Sequence, residues 1–149
     1  MGYFTALHAS ASALTAQRLR MDIISENIAN VNTTRTEAGT PYRRKTVIFE
    51  ARNGNVPFSS YLTSASKKLI GNTSGGVRVS AIVEDQTPFR SVYDPGHPDA
   101  DENGMVQMPN VDIVTEMINL ISASRAYEAN ITSIDTTKSM ALKALEIGG

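Results

Sequence analysis

The densest set of side chains able to do chemistry lies in one stretch, Asp94-Pro95-Gly96-His97-Pro98-Asp99-Ala100-Asp101-Glu102-Asn103-Gly104. Oxygen ligands at alternate positions ahead of a sharp glycine turn are how a calcium loop surrounds a hard cation. Asp99, Asp101, Asn103 and Gly104 reproduce the opening of that loop. The closing bidentate glutamate is missing, and Asn110 stands in its place. Pro95, Pro98 and Pro109 also crowd a site that needs a helix on each side. A Pro/Gly/Asp turn with its carboxylates in water is the simpler reading. No metal or other cofactor is expected.

Nothing else assembles a catalytic set. His8 falls in a helical stretch, one place after an apolar position, and His97 sits between glycine and proline. Neither has a strand-turn-helix nucleophile elbow beside it. Gly71-Asn72-Thr73-Ser74-Gly75-Gly76 has the look of a phosphate loop, but it lacks the Lys-Ser/Thr pair and a following helix. Cysteine is absent, which removes disulfides, thiolate metal sites and thiol nucleophiles together. Arg43-Arg44-Lys45 is a basic triplet suited to acidic groups on a partner. With 14 basic against 15 acidic side chains, the chain has no broad basic face for nucleic acid. No small-molecule substrate is expected, and an enzyme is the disfavoured class.

The elements that would position these residues fall into three zones. Residues 1–34 carry a helix over 3–32. In it Phe4, Leu7, Ala11, Leu14, Arg18, Met21, Ser25 and Ile28 alternate at spacings of three and four, the seam of a coiled coil. Asn30 and Asn32 suit its C-terminal end. Residues 109–149 carry a second helix over 111–147, opened by Pro109-Asn110 and stopped by Gly148-Gly149. Its seam runs through Ile113, Met117, Leu120, Ser124, Tyr127, Ile131, Ile134, Lys138, Ala141 and Leu145. Val114, Ile118 and Ile121 add a second apolar row, so its first half should be buried on more than one side.

Between them, residues 35–108 are β-prone at 44–50, 76–84 and 89–93. Residues 53–75, rich in Ser, Asn, Gly and Thr, read as a flexible insertion. The expected fold is α+β: two long terminal helices packed as an antiparallel coiled coil, with a small, mostly antiparallel β region between them. Small and charged residues dilute both seams, so the helices gain modest burial from each other and more in an assembly. The seam could equally be the core of one intramolecular hairpin.

Asn27-Ile28-Ala29-Asn30-Val31-Asn32-Thr33-Thr34 resembles the N-I-A-N-x-x-T signature of flagellar rod and hook proteins. Those proteins usually run from that threonine directly into Pro-Gly-Tyr. Here Arg35–Thr40 intervene before Pro41-Tyr42-Arg43-Arg44-Lys45, a spacing similar to that of the proximal rod proteins of the family. Pro109-Asn110-Val111-Asp112, Glu116-Met117 and Ile121-Ser122-Ala123-Ser124-Arg125-Ala126-Tyr127-Glu128-Ala129-Asn130 carry the same likeness. Residues 53–75 do not.

The resemblance implies a structural subunit of the basal-body rod, which crosses the periplasm. Its expected partners are the other rod proteins, proximal and distal, and the adaptor that joins the rod to the export gate and MS ring. It implies homo- and hetero-oligomers, export through the flagellar type III apparatus without a cleaved signal peptide, and no membrane span. Met1–His8 have no basic stretch leading into an apolar core, which agrees with such a route. Assembly contacts are then expected at Leu7, Leu14, Met21, Ile28, Asn30, Met117, Ile121, Tyr127, Asn130, Ile131 and Leu145, with Arg43, Arg44 and Lys45 as a further partner contact. A soluble helical adaptor with one partner is the rival from another class. A metal-dependent hydrolase built on the aspartate loop is a second.

Overall fold

A computed structural model describes residues 3–53 and 74–147 of the chain. The insertion read at 53–75 falls almost wholly outside the described residues. The elements run α1 (Tyr3–Ala29), β1 (Lys45–Asn53), β2 (Ser74–Glu84), β3 (Arg90–Tyr93), β4 (Met105–Met108) and α2 (Ile113–Ile147). The architecture is α+β, as expected.

Helix α1 contains no proline and stops where Asn30 turns its side chain onto the helix end. Its Nδ2 donates to the Glu26 carbonyl at 3.0 Å, and its Oδ1 accepts from Thr33 Oγ1 at 3.1 Å. The Glu26 carbonyl also accepts from the Asn30 amide at 3.1 Å, so the side chain adds a second bond at the last turn of the helix. Helix α2 starts at Ile113 because Asp112 caps it, accepting from the Thr115 amide at 3.1 Å and from the Thr115 hydroxyl. Those Thr115 bonds hold the Asp112 carboxyl below its usual range. The start signal assigned to Asn110 therefore belongs to Asp112, and Asn110 has a different duty, described below.

Strands β1 and β2 form an antiparallel pair from Lys45↔Glu84 onward, and β3 and β4 form a second from Arg90↔Met108 to Tyr93↔Met105. These are two separate two-stranded sheets. A bulge between Ile48 and Phe49 in the first sheet breaks strict alternation. Val77 and Val79 are half-buried beyond it, while Ile82 and Val83 before it are exposed. Strand β2 therefore has only a partly buried face.

The hairpin packs on α1 through a notch at Gly76. With φ at +100°, a Cβ there would sit 2.2 Å from Ser12 Oγ and 3.1 Å from Ala9 Cα. Only glycine fits this close approach. Ser12 Oγ then accepts from the Val77 amide at 3.0 Å, bridging helix and strand.

Helices α1 and α2 pack against each other, with Asn27 near the end of α1 touching Glu116 near the start of α2. They therefore run antiparallel. The apolar core is small: Ala16, Ile23, Ile24, Tyr42, Val106, Val111 and Ala123. Within α2, only Glu116 and Ala123 are buried. No helix is long and apolar enough to cross a membrane among the described residues.

Candidate functional site

The loop between β3 and β4 shows what its aspartates do. Asp101 Oδ1 accepts from the amides of Asn103 and Met105, both at 2.9 Å. Asp99 Oδ2 accepts from Thr34 Oγ1 at 2.7 Å, and Arg35 lies 3.7 Å from Oδ1. The Asp99 amide donates to His97 Nδ1 at 3.1 Å. Gly104 takes φ +72° to close the turn. These carboxylates organise backbone amides and fasten the loop to the end of α1. Among the described residues no three His, Asp or Glu side chains gather as metal ligands.

A second cluster of polar side chains is buried where three elements meet. Asn27 and Glu116 both have no solvent exposure. The amide of Asn27 has two donors and two acceptor positions, and all four are used. Nδ2 donates to the Lys45 carbonyl and to Glu116 Oε2, each at 2.9 Å. Oδ1 accepts from the Tyr42 hydroxyl and the Lys45 amide, each at 2.9 Å. The other carboxylate oxygen, Glu116 Oε1, takes Arg44 Nε at 2.8 Å and Nη2 at 2.7 Å. A buried carboxylate is tolerated only when paired and bonded in this way.

The cluster extends outward through the start of β1. Asn110 Oδ1 accepts from the Arg44 amide at 2.8 Å, and its Nδ2 reaches the Asp85 carbonyl at 3.0 Å and Thr87 Oγ1 at 2.9 Å. The Thr87 amide bond, with Arg44 nearby, holds the Asp85 carboxyl below its usual range. Lys45 Nζ pairs with Glu26 Oε1 at 2.6 Å, and Arg43 lies 4.4 Å over the Phe89 ring. Burial, reinforced by Glu26 and Glu116, pushes the Tyr42 phenol up to about 12. All three residues of the basic triplet therefore have partners inside the chain. Arg44 is ion-paired with Glu116 and Asp85 and Lys45 with Glu26, while Arg43 donates to the Asp85 carbonyl and pairs with no carboxylate.

The expected assembly residues divide by exposure. Leu7, Leu14, Met21 and Ile28 on α1, Asn30 just past it, and Tyr127 and Asn130 on α2, are half-buried in the single chain. Met117, Ile121, Ile131 and Leu145 are exposed. Among the deepest positions of α1, Ile24 widens the seam read from the spacing, whereas Ala16, Ile23 and Asn27 lie off it. The second row on α2 is open rather than covered: Val114 is 65 % exposed, Ile118 63 % and Ile121 53 %. Helix α1 thus buries Ile23 and Ile24 together with Ala16 and Asn27, while α2 buries only Glu116 and Ala123 and leaves most of its larger apolar side chains outside. Asn27, Tyr42, Arg44 and Glu116 each stand inside a motif of the family resemblance, but nothing in the sequence joins them as one unit.

Known proteins resemble this chain in sequence. The family model described as "Flagella basal body rod protein" matches residues 7–35, and "Flagellar basal body rod FlgEFG protein C-terminal" matches residues 102–147. The first match ends just past Thr34, and the second contains α2 and Glu116. The flagellar basal-body rod protein FlgC of Bacillus subtilis is 50% identical, covering 99% of both chains. That of Borreliella burgdorferi is 49% identical over 99% of this chain and 98% of the relative. That of Salmonella typhimurium is 42% identical over 93% and 92%. The chain belongs to the FlgC family of flagellar basal-body rod proteins.

Proposed function

We infer that this chain is a structural subunit of the flagellar basal-body rod, specifically of its proximal part, and that it works by assembly rather than catalysis. The observation that carries this reading is α2. It is 35 residues long, about 52 Å, yet only Glu116 and Ala123 are buried in it. Val114, Met117, Ile118, Ile121, Ile131, Met140, Leu142, Leu145 and Ile147 are all exposed. Contiguous apolar surface of this kind marks a site of association.

Head-to-tail contacts that do not close generate helical tubes. In the rod, α1 and α2 of many subunits pack around the axial channel through Leu7, Leu14, Met21, Ile28, Met117, Ile121, Tyr127, Ile131 and Leu145, while the β hairpins face outward. Asn30 and Asn130 hold helix geometry there, each bonding a backbone carbonyl four residues earlier. The partners are further copies, the proximal and distal rod proteins, and the adaptor at the export gate and MS ring. The subunit leaves the cell through the flagellar type III system and sits in the periplasmic part of the rod, transmitting torque. Arg43, Arg44 and Lys45 form a further contact with a partner subunit, and Arg44 and Lys45 also fix the start of β1 against α2 and α1.

Deleting the gene and imaging basal bodies tests the proposal. Cells lacking the chain should build no complete rod and should not swim. Full rods in motile cells would refute it.

A further inference from the structure

Helix α2 has a choice of faces. At about 100° per residue, Val114, Ile118 and Ile121 lie roughly 140–160° around the helix from Glu116. Ala123 lies on the Glu116 side. Apolar burial alone would set α1 against the Val114/Ile118/Ile121 side, because that face has the larger area to remove from water. The structure does the reverse. It buries Glu116 and Ala123 and leaves the three aliphatic side chains open.

We propose that Glu116, paired with Arg44 and Asn27, is a positioning residue that selects which face of α2 receives α1. A buried ion pair is weak as a source of stability, and its best-attested use is to specify pairing and register. The bonding here has that character. Asn27 on α1 and Arg44 before β1 both need a carboxylate at 2.7–2.9 Å, and Glu116 meets them on one side of α2 only. Turning α2 to offer its aliphatic side would carry Glu116 away and leave an Asn27 donor and the Arg44 guanidinium without their carboxylate. The opposite face is thereby reserved for a helix of a neighbouring subunit. This last step rests on the rod reading; the selection of faces within one chain does not.

The chain has no cysteine, so a single introduced thiol reports one position cleanly. The full chain is prepared with Ile118→Cys or Ala123→Cys, each in the native background and in Arg44→Met/Glu116→Leu. That double variant removes the charges together and leaves neither one buried alone. Alkylation is followed at a concentration where the chain is monomeric, with helical content recorded in parallel. In the native background Cys at 118 should react much faster than at 123. In the double variant the contrast should shrink several-fold, with 118 slower and 123 faster, as α1 samples both faces. An unchanged contrast would overturn the proposal, because packing alone would then choose the face. Fast reaction at both positions with loss of helix would also overturn it, since the cluster would then be holding the fold together. Either failure leaves the rod reading to the basal-body imaging, which does not depend on it.

Discussion

At one end of the helix pair, Asn27, Tyr42, Arg44 and Glu116 are locked by hydrogen bonds at 2.7–2.9 Å, and each polar atom of Asn27 is used. Toward the other end of α2, Leu145 is 74 % exposed, and Met140, Leu142 and Ile147 are exposed with it. A soluble enzyme usually does the opposite, spending its apolar side chains on its own core and its polar ones on the surface. Here directional contacts specify the subunit and non-directional ones are left over. That division suits a shaft. Hydrogen bonds fix one subunit's shape, and large apolar surfaces gain when many copies pack together.

If the junction is what specifies the subunit, breaking it should cost most. Glu116→Ala leaves Arg44 and an Asn27 donor without their carboxylate, and should destabilise the chain by about 3–5 kcal/mol. Urea unfolding followed by circular dichroism measures this. Next comes the notch between α1 and β2. Gly76→Ala places a methyl against Ser12 and Ala9 at a left-handed φ, at a cost of about 2–3 kcal/mol. Adding Ser12→Ala should recover only the steric part, so the two changes will be non-additive.

Tyr42 sharpens the comparison through pH. Its phenol is raised from 10.0 to about 12 in the fold, so the neutral form is favoured there. That contribution is complete below pH 10.0 and is lost as pH rises through about 12. Tyr42→Phe should cost about 1 kcal/mol at neutral pH and should lack this alkaline loss. Absorbance titration and unfolding at successive pH values check both points. The smallest effect on the isolated chain belongs to the open face. Ile118→Ser should change stability by no more than about 0.5 kcal/mol, while rod assembly in cells is impaired.

The two helices were legible because apolar residues recur at three and four with no proline between Tyr3 and Ala29 or between Ile113 and Ile147. Their contact face was not. Spacing ranks positions by apolar size, whereas the buried positions of the two helices include Ala16, Ala123, Asn27 and Glu116, which are small or polar. Nor was the junction legible, since Asn27 and Glu116 are 89 positions apart and a glutamate gives no local sign of being buried. Strand β4 was missed because Met105–Met108 is only four residues long and follows a turn. Its signal is the pairing with β3, a non-local one. The motif Asn27-Ile28-Ala29-Asn30 was recognised as a pattern, and the structure supplies its physics. Asn27 joins α1 to β1 and α2, and Asn30 ends the helix.

The central claim is that the face left open on α2 belongs to neighbouring subunits. Basal bodies isolated from cells whose only copy carries Ile118→Asp/Ile121→Asp test it most directly, alongside circular dichroism of the purified variant. The account predicts a chain with native helical content and basal bodies without a completed rod. Rods of normal length built from that variant would contradict it.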